Sequence, residues 1–176
     1  EKALAFYRDF GFEPQVSRME MLLPGKEVDI TNTWLQTPRL ILRPWQESDL
    51  NDFYAYASVP GVGEMAGWPH HESIDVSRMI LRDFMESKNV FAIQHAETGK
   101  VIGSVGIEVP DPDPEAELLG REIGYALHKD YWGRGIMPEA VSAVRDFLFR
   151  EGAECGTEVY YEINRGLGEG ARAAGK

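Results

Sequence analysis

At 176 residues, 43% hydrophobic and 27% charged, the chain is long enough for one well-buried globular domain plus an additional segment, and too short for two full domains. A net charge of −11, from 18 Lys and Arg against 29 Asp and Glu, argues against nucleic acid as a partner and suits an amine-bearing one, although acidity is equally an ordinary solubility device. No run approaches the roughly 20 apolar residues of a membrane helix. Cys155 stands alone, which excludes an intrachain disulfide or thiolate metal cluster and leads us to expect a cytoplasmic setting.

Residues 1–12 carry Ala3, Leu4, Phe6, Tyr7 and Phe10 at helical spacing, with Gly11 as the stop. The chain opens on Glu1 rather than methionine, so Glu1 is not expected to be a natural start. Met19, Met21 and Leu23 alternate as in a strand, ended by Pro24 and Gly25. Residues 25–35 are polar and mixed and read as a linker. The unit from residue 36 begins with a short strand, Arg39–Arg43, carrying Leu40 and Leu42 on one face. Ser48 or Asp49 caps a helix bearing Leu50, Phe53, Tyr54 and Tyr56.

Glycine and proline make residues 60–71 a loop. Ser73 opens a second helix whose apolar face is Ile74, Met79, Ile80, Phe84 and Met85. Asn89–His95 and Lys100–Val109 form a hairpin across Glu97, Thr98 and Gly99, and Leu118–His128 adds a third strand with a kink expected at Gly124. A helix follows over Pro138–Arg150, with Ala140, Val141, Val144, Phe147 and Leu148 inward, and Thr157–Ile163 is the last strand. The glycines of Arg165–Lys176 each cost about 1 kcal/mol against alanine in a helix, so no isolated helix is expected there. This order predicts a mixed α/β (α+β) fold with a mostly antiparallel central sheet flanked by helices.

Gly133-Arg134-Gly135 falls between a strand and a helix. Helix starts leave N–H groups unpaired, the helix dipole adds positive character, and glycine lets an anion approach the backbone. Arg134 adds a charge-assisted contact. Taken alone the pattern reads as a simple tight strand–helix turn; its surroundings decide. The run REIGYALHKDYWGRGIMPEA resembles motif A of the GNAT (GCN5-related N-acetyltransferase) superfamily, near the branch of ribosomal-protein N-terminal acetyltransferases. TPRLILRPWQESD, PGVGEMAGWPHHES and ETGKVIGSVGIE extend the resemblance over residues 36–164.

The resemblance implies acetyl-CoA as cosubstrate and a GNAT-like sheet whose strands splay around it. The pantetheine arm would bond the main chain of Ala126, Leu127 and His128. The pyrophosphate would meet the N–H groups of Trp132, Gly133, Arg134, Gly135, Ile136 and Met137. The family pattern runs Gln or Arg, two residues, Gly, one residue, Gly or Ala. Trp132 and Met137 depart from its ends, which matters little to contacts made by backbone.

Acyl transfer to an amine needs a neutral nucleophile, a stabilised oxyanion and a proton for the thiolate. Glu122 matches the carboxylate that deprotonates the ammonium in many members, often through water; the alternatives are an ordinary strand glutamate, or His128 as base with its unperturbed pKa of about 6.5. Asn164 matches an asparagine that contacts the cofactor arm, and is equally a strand-ending turn residue. Members often supply a tyrosine or serine as general acid beyond this point, but Arg165–Lys176 contains no hydroxyl; Tyr160 and Tyr161 lie on the strand before it. The resemblance implies that Trp68, with Pro69, His70 and His71, lies in the loop bordering the acceptor site. The histidine pair lacks metal-ligand spacing, so no metal is expected.

The function implied is transfer of acetyl from acetyl-CoA to a primary amine, a protein N-terminus or a small amine, by direct attack. No enzyme intermediate is expected, because Cys155 lies away from motif A. The alternatives are a non-catalytic CoA-binding module and an incomplete acetyltransferase fragment. Residues 1–24 resemble the C-terminal helix and strand of an acetyltransferase domain, an end that the core of residues 36–176 is expected to lack. They either finish a preceding tandem domain, complete this core or a partner's by permutation or swapping, or belong to a glyoxalase-type domain. If they do not cover the last strand, a homodimer through that edge or a swapped segment is expected.

Overall fold

The structure, a computed structural model, describes residues 20–22, 28–108 and 120–152. In chain order the strands are β1 Glu20–Leu22, β2 Leu35–Gln36, β3 Leu40–Pro44, β4 Val90–His95, β5 Val101–Glu108 and β6 Gly120–Leu127. The helices are α1 Leu50–Ala57, α2 Val62–Met65, α3 Ile74–Ser87 and α4 Ile136–Gly152, with 3-10 turns at Glu47–Asp49 and Lys129–Tyr131. The strands form one sheet in the order β1-β6-β5-β4-β3-β2, with every neighbouring pair antiparallel. The expected mixed fold is the one observed.

The central strands are buried on both faces, which is why they read as near-continuous apolar runs rather than clean alternations. On β4, Phe91 and Ile93 join Leu40, Leu42, Val105, Ile123 and Leu127 against Ala140, Val141, Val144 and Leu148 of α4. Val90 and Ala92 face the other way, with Ala126, into the layer of Trp45, Phe53, Tyr56 and Leu81 beneath α1 and α3. The β5–β6 register runs unbroken from Gly103↔Leu127 through Gly106↔Gly124 to Glu108↔Glu122. The kink expected at Gly124 is accompanied by no slip in pairing.

Four local expectations change. Residues 28–36 are not merely a connection: Ile30 is 1% exposed, its N–H donates to the Lys88 carbonyl, and Leu35 pairs with Leu42. Asp49 does not spend its carboxylate on the α1 amides. It takes a two-pronged ion pair from Arg43 at 2.8 Å in each arm, both residues buried, and also accepts the Gln46 N–H at 2.9 Å. The 60–71 loop contains the short helix α2.

On α3, Ser73 caps the start by accepting the Val76 N–H, but Met79 is 57% exposed and Met85 is also exposed. The inward stripe is Ser77, Leu81 and, half-buried, Ile80 and Phe84. Ser77, which hydrophobic patterning leaves out of the apolar face, is fully buried, and its hydroxyl bonds the His71 ring nitrogen at 2.7 Å. The expected helix in 1–12, the strand Thr157–Ile163, Asn164 and the glycine-rich tail lie outside the described residues. Among the described residues no helix is long and apolar enough to cross a membrane.

Candidate cofactor and acceptor site

The end of β6 and the turn into α4 form one continuous backbone surface. The His128 N–H donates to the Ile102 carbonyl at 2.7 Å. Residues that exchange bonds across an antiparallel ladder alternate, so Ala126 and Gly124 also turn their main chain towards β5. Ile123, Tyr125 and Leu127 then turn theirs to the outer edge. β1 pairs with that edge only at Gly120–Glu122, and among the described residues no strand covers it from Ile123 to Leu127.

This redistributes the main-chain contacts expected of Ala126, Leu127 and His128. Ala126 and His128 are committed to the sheet. Leu127 faces the open edge, but its carbonyl already accepts the Trp132 indole N–H at 2.7 Å. Tyr125, which the resemblance does not single out, presents its main chain to the same edge as Leu127. Only the β5–β6 register reveals that parity, and no side-chain pattern encodes it.

Trp132 wedges between the two core layers at the sheet's end and packs against both. Its own N–H bonds the Lys129 carbonyl at 3.0 Å, so it is not among the amides left over for an anion. Beyond it, Gly133 and Gly135 sit at φ 71° and 68°, in the left-handed region that favours glycine. The first helical bond of α4 runs from the Glu139 N–H to the Gly135 carbonyl. Ile136 and Met137 thus hold first-turn amides without helical partners, while Pro138 has no N–H to leave orphaned. A Cβ at Gly133 would meet nothing within 4 Å, so the turn faces open space. Arg134 lies over the Tyr131 ring, 5.5 Å from its centroid.

Behind this turn stands Arg39. Its guanidinium donates to the carbonyls of Arg134 at 2.8 Å and Gly135 at 3.1 Å, and through Nε to Glu139 at 2.6 Å. Glu139 also accepts the Thr37 hydroxyl at 2.6 Å and the Arg39 N–H at 3.1 Å. Burial alone would raise the Glu139 carboxyl, but the bonds from Thr37 and Arg39 outweigh it and hold the group below its ordinary 4.5.

The loop over residues 60–71 borders β6 through α2. Trp68 packs flat enough over Gly63 that a Cβ there would lie 2.3 Å from the ring, and its N–H donates to the Gly63 carbonyl. The two histidines turn to separate partners, His70 to Glu64 at 2.7 Å and His71 to Ser77 at 2.7 Å. Lys129 ties the loop to the turn after β6 by bonding the Pro60 carbonyl. Glu122 sits on β6 opposite Glu108 on one side and Glu20 on the other. His128 uses Nδ1 to accept the Asp130 N–H at 3.1 Å.

An open strand edge running into a glycine turn with unspent amides fits a ligand that combines an amide-bearing arm with a diphosphate. Residues 39–166 match the sequence profile of the acetyltransferase (GNAT) domain.

The chain belongs to the GNAT acetyltransferase family.

Among its relatives is the uncharacterized N-acetyltransferase p20 of Bacillus licheniformis, 33% identical over 121 residues, covering 65% of each chain. This chain spans about two thirds, 65% to 66%, of the length of the sequence relatives it matches. A GNAT-family acetyltransferase of Bacillus anthracis shares the fold at a TM-score of 0.57 and 18% identity, covering 68% of each chain. An acetyltransferase of Agrobacterium tumefaciens str. C58 is 27% identical at a TM-score of 0.50, covering 73% of each chain.

Proposed function

We propose that this GNAT chain transfers the acetyl group of acetyl-CoA to a primary amine by direct attack on the thioester. The observation that carries the reading is the glycine turn, with its unspent amides, placed at the end of the uncovered β6 edge. Tyr125 and Leu127 would hold the pantetheine arm by main chain. Gly133, Arg134, Gly135, Ile136 and Met137 would hold the pyrophosphate, and Asn164 remains a candidate for the arm. The cosubstrate supplies an activated acetyl; the chain supplies position and proton handling.

Glu122 is the proposed base that takes the ammonium proton. His128 is a poorer one, because its Nδ1 lone pair caps the 3-10 turn after β6. Trp68 is the proposed wall of the acceptor pocket. Resemblance to the ribosomal-protein branch favours a protein N-terminus as acceptor over a small amine, and the single cysteine favours action in the cytoplasm, with no metal required.

The test is amine-dependent thiol release from acetyl-CoA, measured across peptides with free or blocked N-termini and a panel of small amines. Release with free but not blocked amines is expected, falling roughly 100-fold or more in Glu122→Gln, in line with loss of a general base. Tight CoA binding with no acetyl transfer to any amine would instead establish a non-catalytic module.

A further inference from the structure

We infer that Arg39, in the bend just before β3, is a positioning residue that aims the pyrophosphate-binding amides. The inference rests on the cofactor reading above. The carbonyl and N–H of a trans peptide unit lie in one plane and point in opposite directions. The Arg134 carbonyl shares its plane with the Gly135 N–H, and the Gly135 carbonyl shares its plane with the Ile136 N–H. By holding both carbonyls, at 2.8 and 3.1 Å, Arg39 turns both N–H groups to the far side of the turn.

Glycine makes this hold necessary. Gly133 and Gly135 reach φ 71° and 68° because they lack a Cβ, and the same freedom lets the peptide planes rotate. A rigid planar fork with donors on three nitrogens suits the task; a lysine presents its three donors from one freely rotating nitrogen and does not fix the spacing of two carbonyls and a carboxylate. The fork also solves a charge problem. Glu139 sits in the first turn of α4, where its anion would repel a phosphate, and Arg39 pairs with it at 2.6 Å. Thr37 and the Arg39 N–H complete the seat of that carboxylate, so the guanidinium itself is held in register.

The experiment compares wild type, Arg39→Met, Arg39→Lys and Glu139→Gln by calorimetric titration with CoA and with S-acetylpantetheine, which lacks the diphosphate. For Arg39→Met we expect CoA to bind at least tenfold more weakly, pantetheine binding to hold within twofold, and KM for acetyl-CoA to rise with kcat little changed. Glu139→Gln, which leaves the carbonyl contacts in place, should lose less than Arg39→Met. Where Arg39→Met does not fold, Arg39→Lys carries the test and should also weaken CoA several-fold. Equal weakening of both ligands, or CoA affinity unchanged in the Arg39 variants, overturns the positioning role. Failure of wild type to bind CoA would instead overturn the cofactor reading itself.

Discussion

At the residue scale, the decisive feature is which backbone donors and acceptors remain unspent. The resemblance to motif A singles out the stretch on which we place the cofactor, because glycines at 133 and 135 between strand and helix are visible without coordinates. It could not separate Trp132, whose N–H is spent on Lys129, from Ile136 and Met137, whose amides precede the first helical bond. Nor does it indicate that Tyr125 turns its main chain to the open edge, since strand parity depends on pairing register. Replacing Gly135 by alanine places a Cβ at φ 68°, which costs about 1–2 kcal/mol of stability. We predict a corresponding drop in denaturation midpoint together with weaker CoA binding. Asp49→Ala strands the Arg43 guanidinium in the interior, and chemical denaturation should show a loss of about 3–5 kcal/mol.

At the element scale, the central strands were legible from their apolar runs and the long helix from its periodicity, whereas β2 and the polar devices that fasten elements were not. Leu40, Leu42, Ala140, Val141 and Val144 fall inward as expected. The face of α3 was misjudged because Ser77 is fully buried while Met79 is exposed. Met79→Glu should change stability by no more than about 0.5 kcal/mol.

The α3–loop junction should respond to acid. Burial, and secondarily the neighbouring His70, lower the His71 pKa from 6.5. The folded state thus binds its proton less readily than the unfolded chain. The stabilisation is complete above about pH 6.5 and is lost as pH falls from there through the depressed folded value. We predict that equilibrium unfolding of wild type weakens across that window. Glu139 has the opposite charge type but the same direction: its lowered pKa stabilises the clamp above 4.5, and the contribution fades as pH falls below that value. Comparing wild type with Glu139→Gln from pH 6 downward should show their stabilities converging.

At the scale of the whole molecule, one sheet with helices on both faces places the turn at the end of β6, where a ligand can lie along an edge and finish on a helix start. The Met19–Leu23 strand signal corresponds to β1, which pairs with Gly120–Glu122 of this same chain. That placement leaves Ile123 to Leu127 uncovered among the described residues, the stretch along which we propose the pantetheine arm lies. Mixed α/β architecture followed from element order alone; the sheet's edge arrangement did not, because which strand covers which edge is a long-range choice that local pattern does not record.

The most direct test is backbone amide chemical-shift mapping of the protein titrated with CoA. The largest perturbations should fall on Tyr125, Leu127, Gly133, Arg134, Gly135, Ile136 and Met137, with the spent amides of Trp132 and His128 moving far less. Saturable perturbations centred elsewhere, or none at millimolar CoA, would contradict the placement of the cofactor along β6 and at the start of α4.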